Sequence, residues 1–380
     1  MMEYRIAQPQ DMENVIDLAN MVFSMLRVPH NFAEMLPKVY AEPNLQPGIH
    51  LLAEEEGRLC GCLAMLEYPL RVAGDTLNVG YMGTMAVHPR TRGRGTMGTL
   101  MDKQIERGIE RGMDMLLLGG QRQRYARHGY EGVGATYGYS ISAANVRHAM
   151  VDENAEGLCF APMTQADVPF ALGLYDSQLV GGARTEKNFL ACVSSYREKP
   201  YVVTRGGEAL GYLVTSQDGA RVSEIRMKKL ALVLPAIKGF MAHSGLRGLR
   251  VDAAPYDEPL NSLLAQVCEG YSVSANCMLR MVNPAKVIGA YMKLKAQIQP
   301  LEDGALILGC GKAGTVEITV KDGVPAVCAT EKPAQLALTD QQAAMLLFGY
   351  NRFGVDAAVR QSVPGSWFPL PLHIPEPDSF

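Results

Sequence analysis

The sequence has 380 residues, 48% of them hydrophobic and 20% charged, and its 36 basic against 39 acidic residues leave a net charge of −3. Such a composition excludes a disordered chain, and the near-neutral charge gives no basic footprint for nucleic acid. A length well beyond one ordinary core of ~100–150 residues predicts two or three domains.

In chain order, a short strand over Tyr4–Ala7 leads into a helix from about Asp11, with Val15, Leu18, Ala19, Val22 and Leu26 at helical spacing. A second helical stretch spans Phe32 to Tyr40 and is stopped by Pro43 and Pro47. Strands are predicted near His50–Glu54, Leu59–Tyr68 and Thr76–His88. A Gly/Arg-rich turn then opens a helix with Met97, Leu100, Met101, Ile105 and Ile109 on one face. The run DMLLLGG reads as a buried strand ending in glycines, followed by a short helix through Tyr125 and a last strand near Ala135–Ser142.

After a polar linker at Val151–Glu156, residues 157–282 repeat this order without repeating the residues. A strand (Leu158–Ala161) precedes helices near Ala166–Gln178 and Glu186–Tyr196 and strands near Tyr201–Thr204, Ala209–Thr215 and Val222–Met227. A helix (Leu230–Met241), a strand (Leu249–Val251), a helix (Pro259–Val267) and a final strand (Val273–Val282) complete it. Matching order at matching length predicts a duplicated α/β fold, with domains at 1–150 and 151–282.

The remaining segment, 283–380, opens with a helix carrying Val287, Ile288, Tyr291, Leu294 and Ile298. Strands at Ala305–Leu308, Thr315–Val320 and Pro325–Ala329 follow, with Asp322-Gly323 as a hairpin turn. A helix from about Asp340 carries Ala343, Leu346 and Leu347. The proline-stiffened end WFPLPLHIPEPDSF is expected to pack along other surfaces. None of the 8 cysteines forms a CxxC pair, which disfavours a zinc ribbon or thioredoxin-type site, and no metal is expected. Cys60 and Cys62 alternate along one face of a strand as small hydrophobes. Many free thiols, an N-terminus without an apolar signal region and no run approaching the ~20 residues of a membrane span predict a cytoplasmic protein.

The stretch YMGTMAVHPRTRGRGTMGTLMDKQ carries the most chemistry. An apolar strand runs into a glycine-rich turn and then into a helix, so backbone N–H groups and the positive helix end converge where a pyrophosphate could sit. Arg92 and Arg94 add pairing charge, and Gly93 and Gly95 let the backbone approach closely. Neither GxxxxGK[ST] nor GxGxxG is present, which disfavours nucleoside triphosphates and dinucleotides.

Val87-x-Pro89-x-x-Arg92-Gly93-x-Gly95, with Leu100 beyond it, resembles motif A of the GNAT acetyltransferases, whose turn binds the pyrophosphate of acetyl-CoA. Met97 departs from the Gly or Ala often found there. The resemblance implies an acetyl-CoA site made by Met85, Ala86 and Val87 on the strand, Arg92, Gly93, Arg94, Gly95, Thr96, Met97 and Gly98 in the turn and helix start, and Gly120 and Gln121 after the next strand. Tyr125-Ala-Arg-His-Gly129-Tyr130 stands where the family carries its YxxxGF-like tyrosine. On its own Tyr125 reads either as a packed aromatic or as an acid; the resemblance implies the acid that protonates the leaving thiolate. One domain with the motif, one with MKKL in place of the glycine turn, and a helix-plus-sheet third domain resemble the enhanced intracellular survival family. That family comprises hexameric aminoglycoside N-acetyltransferases with a sterol-carrier-protein-like third domain, which the resemblance implies for residues 283–380 here.

An amine must lose a proton before or during attack, yet Leu77–His88 contains no Asp or Glu. The resemblance implies that the carboxylate of Phe380, reached by threading the tail into the active site, serves as base or anchor, with His88 as the local rival. The expected function is thus N-acetylation of an aminoglycoside-like or lysine amine. A hydrophobic-ligand or lipid carrier working through the last domain is the alternative.

Overall fold

The computed structural model describes residues 1–25, 28–351 and 354–380, so Leu26 of the first predicted helix lies outside the described residues. The chain divides into two compact units. One comprises Met1–Gly134, Cys277–Leu370 and Phe380, and the other Ala135–Asn276 with Pro371–Ser379.

In the first unit a sheet runs in the order Met2–Ile6, His50–Glu55, Arg58–Val72, Asp75–Val87, Met115–Leu118, Cys277–Met281, Glu131–Val133. All four residues of Met115–Leu118 are buried, as a continuous apolar run predicts for a central strand. The helix Met12–Ser24 buries Met12, Val15, Leu18, Ala19 and Val22. The predicted stretch from Phe32 to Tyr40 is two short helices, Phe32–Met35 and Pro37–Tyr40, because Pro37 starts a new one. Both Cys60 and Cys62 are buried in the strand Arg58–Val72.

The helix Thr96–Glu110 buries Leu100, Met101 and Ile105 as expected, but Ile109 is exposed. Gln104 and Gly108 take the inward places instead. The Gln104 amide donates to the carbonyls of Ile49 and Leu63 at 3.1 Å, and a Cβ at Gly108 would come within 2.8 Å of Leu116. Close approach of helix to strand selects glycine there and turns Ile109 outward.

The last segment of this unit places Pro284–Ile298 beside a four-stranded sheet ordered Val324–Ala329, Thr315–Lys321, Gly304–Cys310, Leu336–Leu338. Asp322 and Gly323 both have positive φ, 51° and 74°, as the predicted hairpin turn requires.

The second unit holds a seven-stranded sheet ordered Gly270–Ser274, Thr136–Ser142, Gly248–Ala253, Arg221–Met227, Glu208–Thr215, Lys199–Arg205, Leu158–Pro162. Here the sequence reading needs correction. The strand predicted near Ala135–Ser142 pairs in the second sheet, not the first. The strand predicted as Val273–Val282 is two strands, of which Cys277–Met281 pairs in the first sheet. Which strands pair is a long-range matter that local periodicity cannot report.

Within the second unit Arg184 is fully buried among carboxylates. It donates to both oxygens of Glu224 at 2.9 and 2.8 Å and to Asp378 at 2.7 Å. The Tyr175 hydroxyl donates to Asp378 at 2.6 Å, so the tail segment 371–379 is fixed here by a buried, hydrogen-bonded ionic cluster. Among the described residues no helix is long and apolar enough to cross a membrane.

Candidate acetyl-transfer site

The strand Asp75–Val87 pairs in parallel with Met115–Leu118 from Val79↔Met115 to Met82↔Leu118, and no further. Its antiparallel register with Arg58–Val72 slips over the same stretch, since Ala64 pairs with Gly83 and Cys62 with Ala86. Two residues, Thr84 and Met85, therefore stand opposite Leu63 alone, which is a β-bulge. Thr84 has φ 50°, a strained value for a β-branched residue, and its buried hydroxyl has no hydrogen-bond partner among the described residues. Past Met82 and Leu118 the two parallel strands are free to splay.

Beyond the bulge, Met85 and Val87 are half-buried against the core, while Ala86 is fully buried. The turn follows. His88 caps it, its Nδ1 accepting from the Arg90 N–H at 3.1 Å, which gives this rival base a structural task. Gly93 and Gly95 adopt φ 77° and 80°, and a Cβ on either would meet no atom within 4 Å, so the turn faces open space. Gly95 is the N-cap of Thr96–Glu110, whose first N–H groups have no acceptor within the helix. Thr96 is buried, and its hydroxyl has no partner among the described residues. Open glycines, converging donors and an orphaned hydroxyl fit a phosphate-bearing ligand.

The two turn arginines differ. Arg92 Nε donates to the Val87 carbonyl at 3.4 Å. Arg94 grips both oxygens of Glu55 at 2.8 and 2.6 Å, so its charge is matched within the protein.

Gly120 and Tyr125, predicted separately, meet. Gly120 has φ 147°, and a Cβ there would lie 2.7 Å from Tyr125 Cε2. Exposed Gln121 stands at the N-cap position of the short helix Arg122–Tyr125 without a capping side-chain bond. The Tyr125 phenol is partly buried, and loss of water pushes it above its ordinary range, with Arg124 pulling the other way. It stays protonated at neutral pH, as an acid must.

Three residues that the sequence reading missed hold this loop. Arg280 donates to the His128 carbonyl at 2.6 Å, Gln341 to the Ala126 carbonyl at 2.6 Å, and Arg122 pairs with Glu131 at 2.6 Å. Two come from beyond residue 276, too far along the chain for any local signal. Phe380 closes the set. It is buried, its ring lies 6.4 Å from that of Tyr40, and a Cβ at Gly83 would touch it.

The sequence profile of the acetyltransferase (GNAT) domain matches residues 3–133. Among solved structures, a protein from Enterococcus faecalis described as a probable N-acyltransferase aligns with TM-score 0.70 at 16% identity, over 100% of both chains. A GCN5-related N-acetyltransferase from Anabaena variabilis aligns with TM-score 0.68 at 15% identity, again over 100% of each. Eis1 from Mycobacterium abscessus aligns with TM-score 0.61 at 16% identity, over 91% of this chain and 88% of that one. No curated protein matches the chain. At such identities the likeness is one of fold, a mixed α/β arrangement with tandem GNAT-like sheets along the chain.

Proposed function

We propose that this chain, whose residues 3–133 match the acetyltransferase (GNAT) domain, acetylates a primary amine directly from acetyl-CoA in a ternary complex. The observation that carries this reading is the fork after Met82 and Leu118. At it lie the Thr84 bulge, the Gly83–Phe380 contact and the Tyr125 ring on Gly120. A thioester lying along Met85–Val87, with its phosphates at Arg92–Gly98, would bring its carbonyl to this fork.

In the proposed step the amine nitrogen bonds to the thioester carbon and the C–S bond breaks. Tyr125 gives its proton to the departing thiolate. The proton lost by the amine goes to the carboxylate of Phe380, the last residue of the sequence, directly or through water. A carboxylate of pKa ~3.5 is a weak base, so its larger contribution is to hold the cationic amine at the fork. Aminoglycoside-like amines and lysine side chains are the acceptor classes we propose.

The test is release of free CoA from acetyl-CoA by the purified chain with aminoglycosides, polyamines and lysine peptides, with mass spectrometry of the products. Acetylated amine and initial-rate lines that intersect would support the proposal. Acetyl-CoA consumption that leaves a covalent acetyl-enzyme and gives parallel lines would overturn direct transfer.

A further inference from the structure

The motif tyrosine is followed two residues later by Arg127, which neither the glycine turn nor the acid role uses. Arg127 reaches back over the helix Thr96–Glu110, where a Cβ on Gly98 would lie 3.3 Å from its Nη2. Two other residues set this pose. Arg127 Nε donates to His128 Nε2 at 3.1 Å, and His128 Nδ1 faces Asp102 Oδ1 at 2.8 Å. Because Nε2 accepts, the proton of a neutral ring sits on Nδ1 and is donated to Asp102. Asp102 lies one turn after Gly98 on the same helix face, so the relay Asp102–His128–Arg127 hangs the guanidinium over the first turn.

Electrostatically this is the wrong end. The first turn of a helix is its positive pole, where anions are stabilised and cations are not. Arg92 and Arg94 add further charge nearby, and of the two only Arg94 has a carboxylate partner among the described residues. The one protein acceptor that Arg127 has among the described residues is a ring nitrogen. An exposed guanidinium held at a positive pole with no carboxylate bonded to it directly among the described residues is arranged for an anion, and the buried Thr96 hydroxyl at the same turn has no partner among them either.

We propose that Arg127 is a phosphate-binding residue of this site, pairing with the pyrophosphate of acetyl-CoA through its Nη2, and that His128 and Asp102 position it. The proposal rests on the acetyl-CoA reading above. Glycine at 98 then leaves room for the guanidinium, which a side chain there would crowd.

Calorimetric titration of the full chain with CoA and with 3′-dephospho-CoA tests it, using wild type, Arg127→Gln and His128→Phe, with a melting curve for each. Arg127→Gln should weaken both ligands by the same factor, about 10-fold, the loss of one charge-assisted hydrogen bond. His128→Phe should weaken both less, raising KM for acetyl-CoA while leaving KM for the amine unchanged. Wild-type affinity in a folded Arg127→Gln protein overturns the assignment while the acetyl-CoA reading stands. A loss that disappears with 3′-dephospho-CoA overturns it too, since Arg127 would then read the 3′-phosphate. Wild type that binds neither ligand overturns the acetyl-CoA reading and this inference with it.

Discussion

The ring of Phe380 rests on Gly83, so closely that a Cβ added at Gly83 would lie 2.8 Å from Phe380 Cδ1. Gly83 directly follows Met82, the last residue of its strand to pair with the parallel neighbour. The bare backbone of the glycine is what gives an aromatic side chain room at the fork.

Gly83→Ala tests that relationship without touching the cofactor turn. The new methyl must push the ring away, at a cost of about 1–3 kcal/mol typical of overpacking. We expect kcat to fall by about 10-fold or more, corresponding to that displacement, with affinity for acetyl-CoA retained. Steady-state kinetics beside a CoA titration check it. Unchanged kcat would remove Phe380 from the reaction.

Tyr125→Phe removes one hydroxyl and keeps the ring that packs on Gly120. The expected fall in kcat is about 10²–10⁴-fold, the usual contribution of general acid catalysis. Burial raises the phenol above its ordinary range, so its acid form persists past the pH at which a free tyrosine ionises. The wild-type rate should therefore show no descending limb attributable to Tyr125 up to about pH 10. Normal single-turnover rates in the variant would return Tyr125 to a packing role.

Gly95→Asp addresses the turn. Among side-chain-bearing residues aspartate is one of the better tolerated at a left-handed position such as Gly95, so the main effect is the carboxylate placed where phosphate is expected. Binding of acetyl-CoA should become undetectable, while the melting temperature drops only modestly because the position faces open space. Equal affinity, measured by calorimetry, would move the phosphates elsewhere.

Acid stability follows from two histidines, one in each unit. Burial lowers His50 and His373 to about 4, against backbone hydrogen bonds that favour the proton. With folded values below the unfolded 6.5, the unfolded chain binds more protons between those limits. The stability contribution is complete above pH 6.5 and is lost as pH falls towards 4, by roughly 3 kcal/mol per histidine. Melting temperature should decline steadily from pH 7 to 4, and His50→Gln should shallow that decline. A flat profile would contradict both sites.

Much of this was legible in the residues, and the limits have physical causes. Element order followed from short-range periodicity, as in Val15, Leu18, Ala19 and Val22 of the first helix. The glycine turn announced itself because only glycine adopts φ near 80° without strain, as Gly95 does. The bulge at Thr84 gave no such signal, since a threonine carries the positive φ there. Strand pairing was the larger omission. Nothing in the alternation of Thr136–Ser142 says which sheet will accept it, and Arg280 and Gln341 reach the Tyr125 loop only because Cys277–Met281 pairs with Met115–Leu118.

That crossing of strands bears on how such a protein can be cut or inherited. A fragment ending near residue 150 would keep the glycine turn and Tyr125 and look complete by motif. It would nonetheless leave Met115–Leu118 and Glu131–Val133 without the strand that joins them, Cys277–Met281. It would also carry Thr136–Ser142 with both of its neighbours missing, a bare ladder open to other chains. The first sheet needs Cys277–Met281 from beyond the apparent linker and the second needs Thr136–Ser142 from before it, so recombination or truncation there yields two incomplete pieces. A transplantable catalytic module would have to be re-spliced, joining the first 134 residues to those from 277 onward, before it could fold by itself.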